Sequence, residues 1–146
     1  MEESLKDYWR QHLPIEEADA RTYSPLSLAY IGDAIYDVII RTMVVSRGNM
    51  SVNKYHKITT QYVKAEAQAK LAYAIEQDLT EEELSVYKRG RNAKSVSTAK
   101  NASVIDYRTA TGFEALMGYL YLQDRDERIV DLLEIGLERI ELEKRK

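Results

Sequence analysis

The chain has 146 residues, 45% hydrophobic and 31% charged, with a formal net charge of −3, which is enough apolar material for one domain with its own core. It has no cysteine, so disulfides and thiolate metal sites are excluded; its apolar runs are short and broken by charge, so no membrane span is expected. The acidic, polar start M-E-E-S-L-K-D is unlike a targeting peptide, so a cytoplasmic protein is expected, and the net charge excludes a basic coat but not a local basic patch.

In chain order, residues 4–12 carry a short helix pattern that ends before Pro14, and 13–23 read as a connection. The strongest pattern covers 25–46. Ser24 can cap the free amides of the first turn, and Pro25 suits the first helical position, where its missing N–H has no partner. Leu28, Ile31, Ile35, Val38 and Ile39 recur at helical spacing, which predicts a central, largely buried helix. Gly48 and Asn49 supply a stop, since both tolerate the left-handed conformation. Ser51 caps a second long helix to about Gln77, with Tyr55, Ile58, Tyr62, Ala65, Ala69, Ala72 and Ala74 as its apolar side. Thr80 and Glu83 form a capping box that opens a helix from 81 to about 89. From Gly90 to Ser103 the periodicity collapses into G-R-N-A-K-S-V-S-T-A-K-N-A-S, a long loop of a kind that is usually functional or mobile. A helical pattern returns over 104–122, and a last amphipathic helix from about 125 uses Ile129, Leu132, Leu133, Leu137 and Ile140. The predicted fold is all-α, a helical bundle around two long central helices.

Two acids interrupt these apolar helices. Gly32 costs roughly 1 kcal/mol against Ala inside a helix, so another backbone or helix should approach closely there. Asp33 places a carboxylate among Ile31, Ala34 and Ile35, and Asp37 follows four residues on. In the later helix Glu114 is the lone acid, flanked by Gly112, Ala115 and Gly118. If Gly32 and Gly118 mark a helix crossing, Asp33 and Glu114 face a common site, and two carboxylates in a low-dielectric cleft call for a cation or a proton between them. The competing reading is structural: an Asp at the helix surface, or a buried ion pair with Arg41 or Arg108 as partner.

The stretch L-A-Y-I-G-D-A-I-Y-D resembles the signature of the ribonuclease III family, and T-G-F-E-A-L-M-G-Y-L-Y-L resembles its second acidic motif. Order and separation match as well. The resemblance covers nearly the whole chain, which stops where a ribonuclease III continues into a double-stranded-RNA-binding domain. That absence, with R-G-R-N-A-K-S, resembles the Mini-III subgroup. The chain is therefore expected to be a single catalytic domain, residues 1–146, with no RNA-binding domain attached. It departs from the larger enzymes in having Leu26, Ala29 and Thr111 where they carry further acids, as Mini-III enzymes also do.

The resemblance implies Asp33 and Glu114 as catalytic residues and ligands of Mg²⁺, with Mn²⁺ a plausible substitute; Asp37 is a weaker candidate. It implies hydrolysis of double-stranded RNA to 5′-phosphate and 3′-hydroxyl ends, with the ion activating water and stabilising the leaving oxygen. It further implies maturation of the large-subunit (23S) ribosomal RNA precursor and a homodimer, one protomer per strand, to whose surface Ala29, Tyr30 and Tyr36 could contribute. For RNA, the run Lys88, Arg89, Arg91, Lys94 and Lys100, with Asn92 among them, has no acid between Ser85 and Ser103, and so is the place to seek phosphate contacts. His56, Lys57, Gln61 and Lys64 form a second stripe, for which ordinary exposed polarity is an equal reading. His12 reads as a solvated helix residue. Two rivals stay open: a non-catalytic RNA-binding relative, and a helical interaction protein with structural ion pairs at the two acids.

Overall fold

A computed structural model describes residues 2–93 and 103–144. Its helices are α1 (Leu5–His12), α2 (Pro25–Val45), α3 (Val52–Val63), α4 (Ala65–Ile75), α5 (Glu81–Asn92), α6 (Val104–Leu122) and α7 (Asp126–Lys144), with single 3-10 turns at Ala20–Thr22 and Glu76–Asp78. No strand occurs among the described residues, and the all-α prediction holds. The starts fall where side-chain oxygens can take up free amides. Ser24 accepts from the Ser27 amide at 3.2 Å, Ser51 from Lys54 at 3.2 Å and Ser103 from Asp106 at 3.0 Å. Thr80 and Glu83 close the capping box in both directions.

Helix α6 is the axis of the fold, packed by α2, α4, α5 and α7. Every residue from Thr109 to Leu120 is buried except Glu114, which is half-buried. The core around α6 is built by Tyr36, Ile40 and Val44 of α2, Leu71 and Ile75 of α4, and Leu132 of α7. Tyr36 meets Phe113 edge-on at 5.1 Å and satisfies its own hydroxyl by donating to the Tyr62 carbonyl at 2.7 Å. A fully buried carboxylate, Glu83, is neutralised by Arg128, whose Nε and Nη2 each donate to it at 2.8 Å.

The structure corrects three readings of the sequence. The helix expected over 51–77 is two helices, because Lys64 turns the backbone to φ −65°, ψ 154°. The apolar side chains continue at helical spacing through the break, so the pattern carried no warning of it. Second, α5 runs on through Asn92, and Gly90 lies inside it rather than opening a loop. A Cβ on Gly90 would stand 2.9 Å from the Gly112 Cα and 2.7 Å from the Ala115 Cβ, so the glycine lets α5 lie against α6. Third, Ala29 and Tyr36 belong to the interior and not to an outer face. Tyr30, at 84% exposure, is on the surface together with Val38, which had read as a core position.

Candidate active site

The two acids are brought together by a backbone crossing that only glycine permits. A Cβ on Gly32 would stand 1.7 Å from the Glu114 carbonyl oxygen, and one on Gly118 would stand 1.9 Å from the Leu28 carbonyl oxygen. Helices α2 and α6 therefore touch main chain to main chain. Asp33 follows Gly32 and is exposed; Glu114 lies one turn before Gly118 and is half-buried. The contact brings the Asp33 and Glu114 carboxyl groups close enough for each to act on the other's ionisation. Burial above all, and then the hydrogen bond and charge of Asp33, push the Glu114 carboxyl from its ordinary 4.5 up to about 9. Near neutral pH Glu114 is thus held as the neutral acid beside Asp33.

No cationic side chain neutralises the pair among the described residues. Asp37, four residues on, is engaged by Arg41 at 2.9 Å, and Arg108 is exposed and in no ion pair with either acid. The ion pairs considered for Asp33 and Glu114 are therefore absent from the described residues, and Asp37 already has a partner. Among the described residues no group of three or more His, Asp or Glu side chains gathers in a metal-ligating cluster, so a cation here would draw two carboxylates from the protein.

A third side chain at this place escaped the sequence reading. Gln68 of α4 is 2% exposed, and its amide lies near enough to Glu114 to favour the ionised carboxylate. Its Nε2 donates to the Val63 carbonyl at 2.9 Å, while its Oε1 is buried without a hydrogen-bond partner. The signal was there: a lone amide on the stripe otherwise made by Ala65, Ala69 and Ala72. Two carboxylates are hard oxygen donors of the kind that Mg²⁺ or Mn²⁺ takes, and a buried amide oxygen without a partner lies near them, so the residues present fit such an ion.

The basic residues separate into two surfaces. Lys88, Arg89 and Asn92 are exposed on the last turns of α5, whereas Arg91 leans over the Tyr87 ring and towards Glu76, 3.9 Å away. Lys94 and Lys100 lie outside the described residues. His56 and Lys57 are both exposed on α3, and only Lys57 borders a groove of about 480 Å³ between α3, α4 and α7. Arg47, Lys64, Lys70 and Lys144 line it as well, over a floor that includes Ile58, Leu71 and Leu137, and no acid lines it among the described residues. Those cations come from separate segments, so no local run announced them. His12 is exposed and stacks on Tyr8, with ring centroids 4.0 Å apart, far from this chemistry.

Residues 26–125, which contain both acids and the crossing, match the family model of the ribonuclease III domain. The Mini-ribonuclease 3 of Clostridium tetani is 52% identical over 118 residues, 80% of this chain and 78% of that protein. That of Thermoanaerobacter sp. is 45% identical over 141 residues, 97% of this chain and 99% of the relative. Among solved structures, protein FN1578 from Fusobacterium nucleatum superposes with a TM-score of 0.75 at 32% identity, covering 82% of this chain and 96% of that one. The chain is a ribonuclease and belongs to the ribonuclease III family, among the Mini-ribonuclease 3 proteins.

Proposed function

We propose that the chain is a Mg²⁺-dependent endoribonuclease of double-stranded RNA, with Mn²⁺ able to substitute, leaving 5′-phosphate and 3′-hydroxyl ends. The observation that carries this reading is the Asp33–Glu114 pair: two carboxyl groups forced together by the Gly32–Gly118 crossing with no basic side chain among the described residues to offset them. Asp33 and Glu114 are the residues that would hold the cation. When bound, it supplies Lewis-acid chemistry at the scissile phosphate and a water nucleophile. The protein's own part is to fix the two carboxylates on rigid helices, to release the proton held on Glu114, and to grip the duplex beside them. A-form RNA hides its base edges in a narrow major groove, so the grip is by shape and phosphate. Lys88, Arg89 and Asn92 at the end of α5, and the basic groove that includes Lys57, supply cations and donors suited to it.

The physiological substrate proposed is the precursor of large-subunit (23S) ribosomal RNA, in the cytoplasm. The working form is a homodimer, so that each protomer cuts one strand of the duplex. The outer face of α2 supports that assembly. Leu26, Tyr30, Val38 and Val45 form an exposed apolar stripe, with Asp33 at its border. The direct test is incubation of the full chain with a perfectly paired RNA duplex, in Mg²⁺ and in EDTA, for wild type and Asp33→Asn. Cutting is expected in Mg²⁺ only, reduced in the variant by about a hundredfold or more, as loss of several kcal/mol of Lewis-acid stabilisation requires. Binding without cutting would replace this reading with a non-catalytic RNA-binding one. Neither binding nor cutting would limit the likeness in this respect to the fold.

A further inference from the structure

Gln68 sits in the first turn of α4, directly after the break at Lys64. The break leaves the Val63 carbonyl without its helical partner, and Gln68 Nε2 supplies one at 2.9 Å. A carbonyl only accepts, so this bond fixes which way round the amide lies, and Oε1 must point elsewhere. Oε1 is buried and has no partner. Capping Val63 accounts for the nitrogen and leaves the oxygen unexplained. A buried, unpartnered carbonyl oxygen costs stability, and such groups in native proteins mark a role or an absent water or ion. The amide is also near enough to the Glu114 carboxyl to act on its ionisation.

We propose that Gln68 is a positioning residue of the two-carboxylate site: its anchored amide holds Glu114 opposite Asp33, and its Oε1 accepts from a water on the cation the pair binds. This rests on the reading of Asp33 and Glu114 as cation ligands. Groups that orient metal ligands from behind typically contribute 10–100-fold in metal affinity, so the effect is measurable without substrate. The break at Lys64 gains a purpose from it, since an unbroken helix would leave no free Val63 carbonyl to anchor the amide.

The test titrates the full chain with Mn²⁺ alone, reading free Mn²⁺ by electron paramagnetic resonance, for wild type, Asp33→Asn, Gln68→Met and Gln68→Asn, with thermal melting as the measure of folding. Gln68→Met fills the same space without the amide, and Gln68→Asn keeps the amide one methylene short. Both are expected to melt cooperatively and to bind Mn²⁺ about tenfold or more weakly than wild type. Raising Mn²⁺ is expected to restore their cleavage of duplex RNA, a recovery that a purely structural lesion would not show. Wild-type Mn²⁺ affinity in both Gln68 variants, with binding lost in Asp33→Asn, would overturn the proposal and leave the metal site standing. No Mn²⁺ binding by wild type would overturn both. Should Gln68→Met fail to fold, Gln68→Asn decides by the same affinity.

Discussion

At the scale of single residues, Glu114 has the most to disclose. Its carboxyl titrates far above the unfolded value because α6 buries it and Asp33 faces it. A carboxyl raised on folding binds more protons in the native state than in the unfolded one, so its contribution is fully present below pH 4.5 and is lost as pH rises to about 9. In EDTA, the melting temperature of wild type is therefore expected to fall across that window relative to Glu114→Gln, which copies the neutral acid at every pH. Mg²⁺ should flatten the difference, since it binds the ionised pair and thereby stabilises the native state. A wild type and variant that run parallel from pH 4.5 to 9 would sink this account of Glu114. Asp37 shows the opposite outcome of a similar sequence setting. It too lies one helical turn along the same face, but its carboxylate is paired with Arg41, four residues later.

At the scale of elements, the site is a property of one helix crossing. Ala at Gly32 would put a methyl group inside the Glu114 carbonyl, and the displaced atom is backbone that cannot rotate away. Overpacking in a well-filled interior costs about 1–3 kcal/mol and occasionally more, and a main-chain clash belongs at the upper end. Gly32→Ala is accordingly expected to lose about 3 kcal/mol in urea denaturation and to lose cleavage with it, because α2 and α6 can relieve the clash only by moving Asp33 away from Glu114. A variant that kept wild-type stability would mean that the two helices do not meet as described. The sequence made this crossing legible, since glycines in otherwise apolar helices have few other reasons to be there. It did not reveal the break at Lys64. No Gly, Pro or polar cluster marks it, and the Val63 carbonyl it frees is taken up by the Gln68 side chain, a local bond with no recognisable sequence signature. The end of α5 was misread for a related reason: Gly90 looks like a stop in sequence but serves close packing against Gly112.

At the scale of the whole molecule, the net charge of −3 conceals a strongly uneven surface. Acidic side chains are spent on internal ties: Asp124 and Asp126 hold Lys6 and Arg10 of α1, and Glu83 holds Arg128. The groove between α3, α4 and α7 is lined by cations, of which Lys70 is paired with Glu66, and the outer turns of α5 carry Lys88 and Arg89. If those surfaces meet phosphates, binding of duplex RNA in EDTA should weaken steeply with salt as counterions are released. Removing two such contacts with Lys88→Ala and Arg89→Ala should lower the slope of log affinity against log salt by about one per contact, uniformly across RNA sequences. An unchanged slope in fluorescence anisotropy titrations would place the duplex elsewhere.

The sequence by itself determined the helical class, most helix starts, and the two acids with their glycines. Each of these is written in local periodicity, in capping residues, or in a short motif that reads within a few turns. Only the tertiary structure decided that Asp33 and Glu114 come together, that Ala29 and Tyr36 lie inside and not on an outer face, that Gln68 is buried near Glu114, and that five cations from separate segments line one groove. The reason is physical. Local pattern records what a residue asks of its neighbours along the chain, whereas charge compensation and burial depend on which side chains the packing brings from far away.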